Sequence, residues 1–204
     1  MLKTRIAVLV SGGGTNLQAL LDAQDRGEIP CGEIVLVVSD KEDAYALERA
    51  KKHGVETAVL SRRKKADRAA FEDRLSETLA AHGIEMIILA GFMVILSEKF
   101  VKQYPRRMLN VHPSLIPSFC GAGYYGLRVH EAALERGVKV TGATVHYVNE
   151  IPDGGEIIAQ KAVAVEAGDT PEMLQRRVME QAEWILLPRA AAMAAQSIAE
   201  EREA

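Results

Sequence analysis

The chain has 204 residues, 48% of them hydrophobic, enough apolar material for one globular domain with its own core. With 25 basic against 28 acidic residues the net charge is −3, which argues against a general nucleic-acid binder but leaves room for small anionic ligands met by local positive charge or backbone N–H groups. The two cysteines, Cys31 and Cys120, lack metal-ligand or redox spacing, and the N-terminal apolar run is too short to cross a membrane, so the sequence reads as a soluble, cytoplasmic protein.

Residues 6–10 read as a first strand that runs into SGGGTN, residues 11–16. Leu17, Leu20 and Leu21 then follow helical spacing, as do Phe71, Leu75 and Leu79 further on. Residues 34–38, 57–60, 86–90 and 108–112 read as strands, several apolar throughout, as in parallel sheets covered by helices. The alternation implies an α/β fold: an open, mostly parallel twisted sheet, Rossmann-like, with helices on both faces. After residue 138 the pattern changes. Residues 140–148 and 157–165 are strand-like runs joined by NEIPDGGE, which leaves no room for a crossover helix, so antiparallel pairing is expected there. In AGDTPEML, Asp169 or Thr170 can cap a helix that has Pro171 in its first turn. The long helix that follows is expected to bend near Pro188. Nothing divides the chain, which predicts a single domain over residues 1–204.

Three constellations can carry chemistry. LVSGGGTNLQALL, residues 9–21, joins a strand to an amphipathic helix through three glycines, a turn that exposes backbone N–H groups and suits a phosphate. It is neither a full dinucleotide fingerprint, since Leu17 stands where the third glycine falls, nor a P-loop, and a tight packing turn explains it equally well. In LNVHPSLIP, residues 109–117, Asn110 and His112 lie two apart at a strand end and share a face. An imidazole can act as acid or base, and an amide N–H can steady an oxyanion. The plainer alternative is that both side chains satisfy backbone groups of the next loop. In IPDGGE, residues 151–156, Asp153 is either an ordinary Asp-Gly turn residue or a carboxylate that favours the imidazolium of His112. His53 and His82 precede glycines at helix ends, and His130 and His146 suit packing roles. Cys120, near His112 in sequence, is a weaker candidate as a thiol nucleophile.

Together, and in this order, SGGGTNLQALL, SDKEDAYALERAKKHG, LAGFMVIL, LNVHPSLIP, TGATVHYV, PDGGEIIAQ and AGDTPEMLQRRV resemble the phosphoribosylglycinamide formyltransferases of the formyltransferase-fold superfamily. The resemblance implies transfer of a formyl group from 10-formyltetrahydrofolate to the amine of 5-phosphoribosylglycinamide in purine synthesis, without a metal. It places Asn110, His112 and Asp153 on the catalytic trio, with Asn110 also at the folate. Gly14, Thr15 and Asn16 fall on the loop that holds the ribosyl phosphate, and Glu183 on a glutamate that contacts the same substrate. Met93, Val94, Ile95 and Leu96 fall on the segment lining the pterin pocket, and Arg68 on a folate-site arginine. Three positions depart from the common pattern. Val94 stands where many members carry arginine, SFCGAGYYGLRVH is longer than the usual loop, and QAEW brings one extra residue between Arg177-Val178 and the later proline.

By that resemblance the amine attacks the formyl carbon, Asn110 and His112 stabilise the resulting oxyanion, and His112 helps a proton reach the departing folate nitrogen. The alternatives are a relative that uses another formyl acceptor or hydrolyses formyltetrahydrofolate, and a non-catalytic nucleotide-binding module in which the glycine loop and Asp40 grip a ribose phosphate. Methionyl-tRNA formyltransferase normally adds a second domain, for which this chain has little room. The hydrolase normally adds a regulatory domain before the first strand, which here begins close to Met1. The resemblance implies small-molecule substrates rather than nucleic acid or membrane, and no particular oligomeric state.

Overall fold

The computed structural model describes residues 2–61 and 68–203. Seven strands form one sheet in the order β3-β2-β1-β4-β5-β6-β7. They are β1 (Thr4–Val10), β2 (Gly32–Ser39), β3 (Glu56–Val59), β4 (Met86–Leu89), β5 (Met108–His112), β6 (Val140–Tyr147) and β7 (Ile157–Ala164). The first five are parallel; β6 pairs antiparallel with both β5 and β7.

Each central strand is buried on both faces, and alternate residues feed two separate apolar layers. Ile6, Val8 and Val10 of β1 join one layer, while Ala7 and Leu9 join the other. The first layer is closed by α1 (Thr15–Asp25), α2 (Tyr45–Lys52), α5 (Leu127–Arg136), α6 (Pro171–Val178) and α7 (Trp184–Glu203), which supply residues such as Leu20, Ala46, Ala133, Leu174 and Leu187. The second is closed by α3 (Arg68–Ala81) and α4 (Glu98–Val101) through Phe71, Leu75, Leu79 and Phe100. Burial on both faces is why these strands read as unbroken apolar runs rather than as alternating ones. No helix among the described residues is long and apolar enough to cross a membrane.

Chain direction across the sheet reverses at β1, which has β2 on one side and β4 on the other. In open α/β sheets the carboxyl ends beside such a reversal form the ligand crevice. The glycine turn after β1 and the segment after β4 both open there, and Asn110 and His112 end the adjacent strand.

Of the two candidate caps, Thr170 caps α6: its Oγ1 accepts the Met173 N–H at 3.3 Å, with Pro171 in the first turn. Asp169 instead accepts two hydrogen bonds from Arg177, at 2.5 and 2.7 Å. Ahead of Pro188 the helix carries a further irregularity. A π-helical turn, Met179–Glu183, joins α6 to α7, and α7 then runs through Pro188. Proline lacks the N–H that would bond to the carbonyl four residues back, that of Trp184, and the π turn ends immediately before that residue.

Candidate active site

β5 carries Asn110 and His112 on one face, and β6 sets His146 directly opposite Asn110 and Thr144 opposite His112. Paired residues of an antiparallel ladder share a face, so two strands bring an amide and two imidazoles to one patch. Thr144 belongs to the framework. Its Oγ1 donates to the Ser114 carbonyl at 2.7 Å and accepts the Ile116 N–H at 3.1 Å, which holds the chain where it leaves β5.

Asp153 reaches this patch from the β6–β7 connection. It sits in the left-handed region at φ 56°, and the connection closes on β6 so tightly that a Cβ on Gly155 would lie 1.7 Å from the Tyr147 carbonyl oxygen. The Asp-Gly-Gly turn therefore drives the carboxylate inward as well as reversing the chain. Asp153 Oδ2 lies 3.5 Å from His112 Nδ1, and Oδ1 lies 3.6 Å from His146 Nε2. Oδ2 also accepts the Gly121 N–H at 2.9 Å. Asn110 Nδ2 is 3.2 Å from His146 Nε2 and 3.4 Å from Asp153 Oδ1. Burial pushes the Asp153 carboxyl up, but the contact with His146, the Gly121 N–H and the charge of His112 together hold it below the usual carboxylate range.

His112 Nε2 is 2.8 Å from the Phe119 carbonyl oxygen. A carbonyl only accepts, so this nitrogen carries a hydrogen and donates it. The other nitrogen, Nδ1, faces Asp153. Nearby His130 is fully buried, with neither ring nitrogen hydrogen-bonded among the described residues. Burial, and then the neighbouring charge of His112, push its pKa down to about 4, which makes it a neutral packing group. The Cys120 thiol donates to the Pro117 carbonyl at 3.3 Å, and burial followed by the Asp153 charge pushes it up, so it remains a thiol rather than a nucleophilic thiolate.

Beside the trio, a cavity of about 140 Å³ is walled by Val94, Ile95 and Leu96 on one side and by the connection that bears Asp153 on the other, with Asn110 and His146 also contributing to its lining. Two residues expected here stand apart from that lining. Met93 is 49% exposed, and its N–H donates to Ser11 Oγ at 2.9 Å. Arg68, at the start of α3, lies 4.0 Å from Glu72 Oε1. Glu72 in turn accepts from the N–H and Oγ of Ser97, the residue that follows the segment 93–96, at 2.6 and 2.5 Å, while the Arg68 side chain stays half exposed.

The glycine turn approaches α2 closely. Gly14 is left-handed at φ 73°, and a Cβ there would lie 2.6 Å from the Ala46 Cβ. Thr15 opens α1, with Oγ1 3.8 Å from Met179 Sδ, and Asn16 Nδ2 donates to Glu183 Oε2 at 2.6 Å. Glu183 is only 6% exposed, and burial pushes its carboxyl up to about 7 against the lowering effect of Asn16. Asn16 Oδ1 is buried without a partner among the described residues. The π turn Met179–Glu183 ends on Glu183, whose carboxyl meets Asn16.

The sequence reading missed His146, which it treated as a packing residue. The signal was available in the alternation of Thr144 and His146 on one face of β6, but using it requires knowing that β6 pairs with β5.

A formyl transferase family model matches residues 4–190. The chain is 46% identical over 176 residues to the trifunctional purine biosynthetic protein adenosine-3 of Bos taurus, a match that covers 86% of this chain and 17% of that protein. It therefore spans 17% of the length of such trifunctional relatives. It is 41% identical over 177 residues to the phosphoribosylglycinamide formyltransferase of Haemophilus influenzae, covering 87% of this chain and 81% of that one. The crystal structure of glycinamide ribonucleotide transformylase 1 from Symbiobacterium toebii superposes with a TM-score of 0.88 at 43% identity, covering 96% of this chain and 89% of that one. With matches of this extent in sequence and fold, the chain belongs to the formyl transferase family, in its phosphoribosylglycinamide formyltransferase branch.

Proposed function

We propose that this chain transfers the formyl group of 10-formyltetrahydrofolate to the amine of 5-phosphoribosylglycinamide. The observation that carries this reading is the position of Asp153, between His112 and His146 and at the edge of an apolar cavity beside Asn110. The apolar wall of Val94, Ile95 and Leu96, with the polar side chains of Asn110, His146 and Asp153 in the same lining, suits a flat pterin ring. The glycine turn offers the N-terminus of α1 to a phosphate. Asn16 and Glu183, bonded to each other beside the turn, place a polar pair under the same end of α1.

The substrate amine attacks the formyl carbon and generates a tetrahedral oxyanion, which Asn110 Nδ2 and the His112 N–H stabilise. The C–N bond to the folate then breaks. His112 assists transfer of the amine's surplus proton to the departing folate nitrogen, and Asp153 supports the charged ring while that happens. On this reading the oxyanion replaces the Phe119 carbonyl, 2.8 Å from His112 Nε2, as the acceptor of that N–H.

The test is product formation by the purified chain with 10-formyltetrahydrofolate and a panel of acceptors, with water as the control. Formyl transfer selective for phosphoribosylglycinamide is expected. Hydrolysis that outruns transfer to every amine refutes the assignment.

A further inference from the structure

The turn before α1 is tied to α2 by two carbonyls. The Gly12 carbonyl accepts the Ala46 N–H at 3.0 Å, and the Gly13 carbonyl accepts Arg49 Nε at 2.8 Å. In a planar trans peptide the C=O and the following N–H point in opposite directions. Docking both carbonyls on α2 therefore turns the N–H groups of Gly13 and Gly14 away from α2. A Cβ on Gly12 or Gly13 would meet nothing within 4 Å, so the space beside them is open. Arg49 itself is held from three directions. Its Nη1 donates to Gln18 Oε1 at 3.0 Å, its guanidinium lies 5.0 Å from the centre of the Tyr45 ring, and its Cδ packs 3.5 Å from where a Gly14 Cβ would be.

We propose that Arg49 is a positioning residue for the phosphate of the ribotide, holding the Gly13 carbonyl so that the Gly14 N–H faces the phosphate and keeping a fixed positive charge behind the turn. This rests on the reading of the glycine turn as the phosphate site. Arg49 needs no contact with substrate; it acts through the peptide it grips. A guanidinium suits this role because its fork serves Gly13 and Gln18 at once, which a lysine ammonium does not reproduce.

The experiment follows the amide resonances of Gly13 and Gly14 by NMR during titration with ribose 5-phosphate, in wild type, Arg49→Ala, Arg49→Lys and Gln18→Ala. Steady-state kinetics with both substrates accompany it. Arg49→Ala should weaken ribose 5-phosphate binding and raise the KM for phosphoribosylglycinamide by roughly tenfold or more, the scale of a lost hydrogen bond to a charged group. The folate KM and the kcat at saturation should stay within about twofold of wild type, since the lost interaction is one of uniform binding. Arg49→Lys should restore part of the loss, and Gln18→Ala should shift binding in the same direction by less.

An unchanged ribotide KM in folded Arg49→Ala overturns the proposal, as does an equal loss for both substrates or a lysine variant no better than alanine. If Arg49→Ala does not fold, the same comparison stands on Arg49→Lys and Gln18→Ala, and wild-type affinity in both overturns it. Wild-type Gly13 and Gly14 amides that ignore ribose 5-phosphate would remove the phosphate site itself. A wild-type response that the Arg49 variants leave intact removes only the role of Arg49.

Discussion

Asp153 is the residue on which the site's polar chemistry converges, because each of its oxygens faces a different imidazole. Its role as the partner of His112 was open in the sequence, where Asp-Gly-Gly also describes a plain turn. What the sequence could not supply was the positive φ of Asp153 and the close approach of Gly155 to Tyr147, which together aim the side chain inward. Asn110 and His112 were legible because a spacing of two on a strand is a geometric statement. His146 was not, because its meaning depends on strand register. Since the folded state depresses the Asp153 pKa, its ionisation contributes stability above the ordinary carboxylate range. That contribution is lost as pH falls through the depressed value. Asp153→Asn should therefore flatten the acid limb of the stability curve below about pH 4, seen as a smaller fall in Tm between neutral and acid pH. It should also lower kcat more than it changes either KM. An acid limb as steep as wild type's would place the linkage on other carboxylates.

At the scale of elements, the glycine turn and the π turn face each other across Asn16 and Glu183. The seven strands and the helices α1 and α3 could be read from apolar periodicity, because burial on two faces or on one stripe leaves a direct mark in the sequence. The π turn leaves no such mark. One surplus residue before Pro188 was visible, but whether it would bulge, kink or shift the helix depends on what α6 and α7 pack against. Two predictions belong here. Gly14→Ala should destabilise the fold, since its Cβ meets Ala46 at 2.6 Å in a left-handed backbone, whereas Gly13→Ala enters open space. Gly13→Ala should thus keep its Tm yet weaken ribotide binding, with thermal melts and calorimetry distinguishing the two; equal losses of Tm would mean that both glycines serve packing alone. The second concerns Glu183, whose pKa is raised to about 7 by burial. The native state then binds a proton that the unfolded chain releases, so this stability is fully present below the unfolded value of 4.5 and is lost as pH rises through about 7. Glu183→Gln keeps an acceptor for Asn16 and removes the titration. Its stability should exceed that of wild type by a margin that grows from pH 5 to pH 8 to roughly a few kcal/mol, read as a growing difference in Tm. Parallel curves over that range would assign the loss elsewhere.

At the scale of the molecule, the sheet brings the glycine turn and the cavity, the two proposed substrate sites, to one edge. β1 delivers the glycine turn, β4 delivers the segment 93–96, and the Met93 N–H to Ser11 Oγ bond ties the two together where the strand order reverses. The apolar layer under α3 and α4 continues up to this edge and ends within the segment itself. Val94 is 7% exposed and belongs to that layer, while its neighbour Ile95 is 65% exposed, and both line the cavity. A reading from sequence treats residues 93–96 as one apolar wall, because adjacent hydrophobic residues carry no label for core or cleft. The structure separates them, and aspartate substitutions should do the same. Val94→Asp places a carboxylate in the layer that supports the sheet and should cost several kcal/mol of stability, or neutralise itself at comparable expense. Ile95→Asp should leave Tm close to wild type, because its side chain is in water until a ligand covers it. Binding is where Ile95→Asp should show its cost: a folate analogue would have to desolvate the new charge, and its affinity should fall by roughly tenfold or more while ribotide affinity holds. Thermal melts of both variants, with calorimetry of Ile95→Asp against each ligand, decide the matter. A large drop in Tm for Ile95→Asp, or a folate affinity that survives it, would move the boundary between core and cleft away from the Val94–Ile95 peptide.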